Sequence, residues 1–176
     1  MDAVFESARL VARRWTMDDA PLALELFGHP EVQRFLPGAN MSDLAGARAM
    51  MERIRDKYYV PSNGALGAFA LFDKDGGAFA GNLLLKAAPD AAGELTTDIE
   101  IGWHLLPSRW GQGLASEGAR ACLRYGFDAL ALPEIHAVVL PGNARSMRVA
   151  ERIGLLYRGS TDRYYGMAAE HFSRAR

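Results

Sequence analysis

Arg109-Trp110-Gly111-Gln112-Gly113-Leu114-Ala115-Ser116 decides how this chain is read, because of what stands on either side of it. The strand-like run Ile99-Glu100-Ile101-Gly102-Trp103 precedes it, and helical apolar positions at Ala115, Ala119, Cys122, Leu123 and Phe127 follow. Two glycines two positions apart at a helix start let the backbone turn tightly and aim several N–H groups at one spot. A helix N-terminus adds about half a positive charge and unpaired donors, so that spot favours an anion such as pyrophosphate. The stretch lacks the Lys-Ser/Thr ending of a P-loop and is too short for the dinucleotide fingerprint. On spacing alone, plain turn chemistry explains it as well as anion binding does.

A second stretch lies further on. Glu134-Ile135-His136-Ala137-Val138-Val139-Leu140 reads as a buried strand, then Pro141-Gly142 turns the chain into Asn143-Ala144-Arg145-Ser146-Met147-Arg148-Val149-Ala150-Glu151-Arg152-Ile153-Gly154. Asn143 suits an N-cap, Gly154 suits the position after a helix, and Met147, Ala150 and Ile153 form an apolar stripe. The order strand, W-G-x-G-x-A-S-E, helix, strand, N-x-x-S, helix ending E-R-I-G resembles the acyl-CoA-binding half of the GNAT N-acetyltransferases. The nearest branch includes the ribosomal-protein N-terminal acetyltransferases. Arg9-Leu10-Val11-Ala12-Arg13, Asp18-Asp19-Ala20 and His29-Pro30-Glu31-Val32 with Phe35-Leu36 resemble that branch's opening elements, so the likeness runs from about residue 8 to the end.

Composition sets bounds. A chain of 176 residues, 49% hydrophobic, is one ordinary globular domain spanning 1–176. With 20 basic and 21 acidic residues and net charge −1, no field is built for nucleic acid or an anionic membrane. One cysteine, Cys122, forms no internal disulfide, suits a reducing cytoplasm, and sits on the apolar face of its helix as core. Met1-Asp2-Ala3-Val4-Phe5-Glu6 has neither the basic nor the apolar region of a signal peptide, and no run is long enough to span a membrane. Four scattered histidines and one cysteine give no metal-ligand spacing.

Along the chain, Leu10 to Arg13 reads as a strand, and Thr16-Met17-Asp18-Asp19 as a helix start whose body buries Leu22, Ala23, Leu26 and Phe27. Ser42-Asp43-Leu44 opens a second helix with Leu44, Ala47, Met50, Met51, Ile54 and Tyr58 on its apolar side. Gly67 to Phe72 and Phe79 to Lys86 are strands around a hairpin turn, Asp73 to Gly77, and a small-residue loop leads to the strand of Glu100. Leu155 to Arg158 and Tyr164 to Phe172 close the chain as two strands. The order is β-αα-βββ-α-β-α-ββ, a mixed α/β fold. The resemblance implies a mostly antiparallel sheet with helices on both faces.

It also implies an acetyl-CoA-dependent N-acetyltransferase acting by direct attack of a primary amine on the thioester, the amine belonging to a small molecule or a protein N-terminus. The alternative is a non-catalytic acyl-CoA-binding or regulatory domain of the same fold. In the family, main-chain N–H groups of the loop corresponding to Gln112, Gly113, Leu114, Ala115 and Ser116 hold the pyrophosphate. A Cβ at Gly111 or Gly113 would push the phosphates away. Arg109 either adds charge to a phosphate or is a solvated surface arginine. The resemblance also counts Trp103 among the cofactor-binding residues, and a cytoplasmic location and a homodimer are compatible with the branch.

Strict alternation puts Ile99, Ile101 and Trp103 on one face of that strand, and Glu100, Gly102 and His104 on the other. The family places a glutamate like Glu100 as the base that deprotonates the amine; the plain reading is a half-exposed glutamate paired with an arginine. His104 is either a group titrating near neutrality or a strand-end surface histidine. The resemblance gives Asn143 to the pantetheine arm and Ser146 to the sulfur as proton donor, against an N-cap and a first-turn residue. The tyrosine acid of many members corresponds to Ala150, which leaves Ser146 or a water as the donor; Tyr157 lies nearby in sequence but on a strand. The acceptor pocket falls on Gln33-Arg34-Phe35-Leu36-Pro37-Gly38 and Tyr164-Tyr165, with Met50-Met51 as core.

Overall fold

Alternation along the strands builds two apolar layers on one sheet. In β2 (Leu10–Arg14), Leu10 and Ala12 join one cluster and Val11 the other. In β3 (Gly67–Asp73), Phe69 and Leu71 take the first side while Ala68, Ala70 and Phe72 take the second. A period of two with both faces buried requires cover on each side. The computed structural model, which describes residues 2–36 and 41–176, supplies that cover with helices.

The sheet has eight strands in the order β1-β2-β3-β4-β5-β6-β8-β7. Beyond β2 and β3 they are β1 (Ala3–Glu6), β4 (Phe79–Pro89), β5 (Leu95–Leu105), β6 (Glu134–Val139), β7 (Leu156–Thr161) and β8 (Ala169–Ala175). Every neighbouring pair is antiparallel except β5 with β6. Helices α1 (Ala20–Phe27) and α3 (Leu44–Ile54) bury Ala23, Leu26, Ala47 and Met51 over one face, with the short α2 (Pro30–Gln33) beside them. Helices α4 (Leu114–Arg124) and α5 (Ala144–Arg152) bury Ala119, Cys122, Leu123 and Ala150 over the other. This is the expected mixed, mostly antiparallel fold. At Gly81 (φ 151°) β4 passes so close to β5 that a Cβ would lie 2.3 Å from the His104 carbonyl oxygen, so only glycine fits.

Three local expectations change. β1 has no forerunner in the apolar pattern; it forms because Phe5 inserts between Phe69 and Tyr125, 5.3 Å from each ring. Leu44 is 41% exposed, since it begins α3 before the helix reaches the sheet. The closing strands run later than their apolar pattern suggests. Tyr164 is fully buried but lies in the turn, where Tyr165 (φ 60°) and Gly166 (φ 63°) are left-handed and cannot continue a strand.

The helix start at Thr16 is held as the spacing predicts, by an acid three residues on. Asp19 accepts hydrogen bonds from the Thr16 N–H (2.8 Å) and hydroxyl (2.9 Å), and a two-pronged contact from the Arg13 guanidinium at 2.6 and 2.7 Å. Burial would raise the Asp19 carboxyl, but Arg13 and Thr16 outweigh it and hold it below the usual carboxylate range. A depressed carboxyl stabilises the fold above its unfolded pKa, and the contribution fades as pH falls through the folded value. Asp19→Ala should therefore cost about 3 kcal/mol at pH 7, as for breaking a buried ion pair. The difference from wild type in urea melts should shrink below about pH 4.

Candidate active site

A parallel ladder is normally evenly bonded along its length. Here β5 and β6 are in register at one position, Glu100 opposite His136. β5 continues to Leu105 and β6 to Val139 without further pairing, so the strands part and leave a gap in the sheet. Ile99, Ile101 and Trp103 pack toward α4 and α5, as alternation demands, so the Trp103 side chain belongs to the core layer and its main chain borders the gap. Glu100, Gly102 and His104 face the α1/α3 side, with the Leu84 side chain lying over Gly102.

The glycine loop stands at the end of β5. Gly111 (φ 75°) and Gly113 (φ 77°) are both left-handed, and Gly113 is the N-cap of α4 with no side chain to cap it. The first helical bond runs from the Glu117 N–H to the Gly113 carbonyl, leaving the N–H groups of Leu114, Ala115 and Ser116 without helical partners. A Cβ on Gly111 would meet nothing within 4 Å, and one on Gly113 only Arg9 Nη2 at 3.8 Å. Within the protein itself, then, glycine is required by the backbone turn and not by crowding. Leu114 and Ser116 are buried.

The loop is clamped from a distance. The Arg9 guanidinium donates to the Gln112 carbonyl (3.1 Å) and to Glu117 (2.7 Å), and Glu117 also accepts from the Ser7 hydroxyl (2.7 Å) and the Arg9 N–H (2.8 Å). Desolvation opposes ionisation of Glu117, but these donors win and hold its carboxyl low. The Gln112 side chain donates to the Ser108 carbonyl at 2.9 Å. Arg109 is bound by Asp73 at the end of β3, and its Nε is buried without a partner among the described residues, so it is not a freely solvated arginine. Trp110 donates to the Leu105 carbonyl at 2.8 Å, and exposed Arg145 lies 5.3 Å from its ring, which brings the start of α5 beside the loop.

Glu100 is 6% exposed and its partner is a lysine, not an arginine. Lys86 Nζ donates to Glu100 Oε2 at 3.0 Å and to the Tyr165 hydroxyl at 2.7 Å, and the Tyr165 hydroxyl also donates to Glu100. Burial and the Glu100 charge push the Tyr165 phenol far up, so it stays a proton donor. Tyr165 reaches this point because Tyr164 anchors the turn: its hydroxyl donates to Asp98 at 2.7 Å, and its backbone bridges to Asp90.

Further along β5, near His104, the buried Trp15 indole donates to Asn82 Oδ1 (2.9 Å), and the Asn82 amide lies 3.3 Å from His104 Nδ1. With its oxygen engaged by Trp15, Asn82 donates, which fixes His104 as the neutral tautomer protonated on Nε2. His104 is thus not a surface histidine; it packs edge-on to Phe27 at 5.8 Å, and burial plus the Lys86 charge lower it to about 4.

On α5, the Asn143 side chain caps the helix by accepting from the Ser146 N–H at 3.1 Å. The half-buried Ser146 hydroxyl makes no hydrogen bond to the described residues. Ala150 is fully buried, and Tyr157 is exposed on β7 with its hydroxyl on Glu170 at 2.5 Å. Cys122 is fully buried and its thiol is pushed up by burial, as core should be. Met51 is core, while Pro37 and Gly38 lie outside the described residues. Local sequence pattern does not single out Lys86, Asn82, Trp15 or Arg9 as parts of a site, and it places Tyr58 only on a helix face. A lone lysine in the apolar run Phe79–Pro89 is the available signal.

Comparison with known proteins points the same way. A family model, the acetyltransferase (GNAT) domain, matches residues 9–156. The uncharacterized N-acetyltransferase YoaA of Bacillus subtilis (strain 168) is 28% identical over 164 residues, 93% of this chain and 89% of that protein. The uncharacterized protein YkkB of the same organism is 47% identical over 64 residues, which are 36% of this chain and 37% of that protein. The structure of RimL, a ribosomal L7/L12 alpha-N-protein acetyltransferase in complex with coenzyme A, superposes with TM-score 0.81 at 16% identity, covering 99% and 98% of the two chains. That likeness is one of fold.

His104 gives a pH test. Its folded pKa of about 4 lies below the unfolded value of about 6.5, so the unfolded chain binds the extra proton first. Wild type should lose stability on acidification from about pH 6.5 to 4. His104→Gln should remove that part of the slope in denaturant melts, and the His104 ring signals should not titrate between pH 6 and 8.

Proposed function

The chain belongs to the GNAT acetyltransferase family, and we propose that it moves the acetyl group of acetyl-CoA to a primary amine. The observation that carries this reading is Glu100, buried at the one position where β5 and β6 are in register and beside the gap beyond it. The uncapped start of α4, with two left-handed glycines before it, fits a pyrophosphate. Its donors would be the main chain of Gln112, Gly113, Leu114, Ala115 and Ser116, and the edge of β5 past Glu100, including Trp103, would run along the pantetheine arm. Acetyl-CoA supplies an activated acetyl group that a neutral amine attacks directly.

Glu100 would take the proton of the acceptor ammonium. Ser146, whose hydroxyl at the start of α5 has no partner among the described residues, would give one to the leaving sulfur, and Asn143 would hold the arm while capping the helix. Arg109, locked to Asp73, would act on a phosphate only through its long-range charge. The relatives' names and the resemblance support amine acceptors, a small molecule or a protein N-terminus; a cytoplasmic setting rests on the single cysteine and the resemblance alone. A second reading, an acyl-CoA-binding domain without turnover, draws on the engagement of Glu100 by Lys86 and Tyr165.

Mass-spectrometric screening of an amine library against N-terminal peptides, with CoA release as readout, separates these readings. Glu100→Gln should lower kcat by roughly 10²–10⁴-fold and flatten the acidic limb of the pH–rate profile. A variant that keeps the wild-type profile returns Glu100 to a structural role. Gly113→Glu meets no crowding but pays about 1–2 kcal/mol for a left-handed non-glycine residue, so it should fold with that loss of stability and show no acetyl-CoA binding by calorimetry. Asn143→Ala should weaken CoA binding and cost about 1 kcal/mol of stability through the lost cap. Ser146→Ala should lower kcat while leaving CoA affinity nearly intact.

A further inference from the structure

The surroundings of Lys86 Nζ have the chemistry of a receptor for a primary ammonium. Its side chain is 13% exposed and Glu100's is 8%, so both charges are withdrawn from water. Nζ meets the Glu100 carboxylate at 3.0 Å and the Tyr165 hydroxyl at 2.7 Å, and lies 5.6 Å from the Tyr58 ring centroid and 5.2 Å from that of Tyr165. The Tyr58 ring is within the ~6 Å at which a π face attracts a cation, whereas Tyr165 meets Nζ through its hydroxyl, at the edge of its ring. An ammonium has three N–H donors, and the carboxylate and the hydroxyl take two. Nothing in this arrangement requires the cation to be tethered to β4.

One wall is also open. Tyr165 is 36% exposed, and it sits in a turn in a left-handed conformation that a non-glycine residue adopts only under constraint. The four-carbon stem of a lysine swings readily.

We propose that Tyr58, Tyr165 and Glu100 form an ammonium-binding cage at the acceptor end of the cleft, and that Lys86 is its internal occupant, displaced by the acceptor's own primary ammonium. The role of the displacing amine rests on the acetyl-transfer reading; the cage itself does not. The site takes an unhindered alkylammonium. A quaternary ammonium lacks the N–H donors that Glu100 and Tyr165 require, and a neutral alcohol lacks the charge.

The test is chemical rescue of Lys86→Ala, which removes three carbons and the ammonium, by propylammonium chloride. The thermal midpoint of the variant should rise saturably, by about 3–6 °C at tenfold over Kd. Wild type should respond only at higher concentration, where the amine must displace Lys86, tetramethylammonium chloride and 1-propanol should have no such effect, and the Lys86→Ala/Glu100→Gln double variant should lose the response. If Lys86→Ala does not fold unaided, the same compounds are present during refolding, and recovery that depends on propylammonium alone equally supports the cage. A variant that responds to propylammonium no more than wild type does, or no more than to tetramethylammonium, overturns the cage. Acetyl-CoA is then added, and N-propylacetamide with equimolar CoA is sought from the variant. Rescue without amide upholds the cage and fails the catalytic reading of Glu100. Turnover of other amines by wild type with no rescue of the variant upholds transfer and overturns the cage.

Discussion

The rest of the molecule is arranged around the failure of β5 and β6 to stay together. Backbone N–H and C=O groups in a sheet interior need partners, and a parallel pair in register at one position withholds them along its outer half. The single pair in register, Glu100 with His136, fixes where the gap begins. The glycine loop at the end of β5 and the start of α5 after β6 are then carried to its two sides by the strands themselves. Trp110 and Arg145 meet between them. No long loop is needed to assemble the cleft, because each wall is the direct continuation of a strand that has left its neighbour.

The two faces of β5 divide the labour. On the α4/α5 side its residues are apolar and continuous with the core, which holds the strand rigid. On the other side runs a polar row, Asp98, Glu100 and His104, held by β4 and the turn before β8: Tyr164 and Arg163 for the first, Lys86 and Tyr165 for the second, Asn82 for the third. Buried charge is tolerable there only because every group is answered, and losing one partner leaves another uncompensated.

Much of the fold is legible in the sequence because it is written in local periodicity. The alternation of Ile99, Glu100, Ile101, Gly102 and Trp103 matches the facing of β5, and Asn143 and Thr16 lie at the helix starts that their side chains suggest. What escapes a sequence reading depends on register between distant segments. Lys86 and Glu100 are 14 residues apart and Lys86 and Tyr165 are 79 apart, and no local pattern says that they meet. The burial of His104 is hidden for the same reason. It comes from Phe27 on a helix and Asn82 on a neighbouring strand. β1 exists because Phe5 finds two rings that only the folded sheet brings together.

The clamp of Arg9 on Gln112 and Glu117 spans 103 and 108 residues of chain, and this has a kinetic side. Helix α4 is a local structure and forms on its own timescale, whereas closing so long a loop must wait until other contacts have offset its entropy. A chain emerging N-terminus first would hold Arg9 idle until residue 117 had been made and docked. The glycine turn would then be set in its final shape among the last events of folding, well after the sheet beneath it. Acquisition of CoA affinity during refolding would lag the recovery of secondary structure, and the delay would measure how long the two ends of the clamp take to find each other.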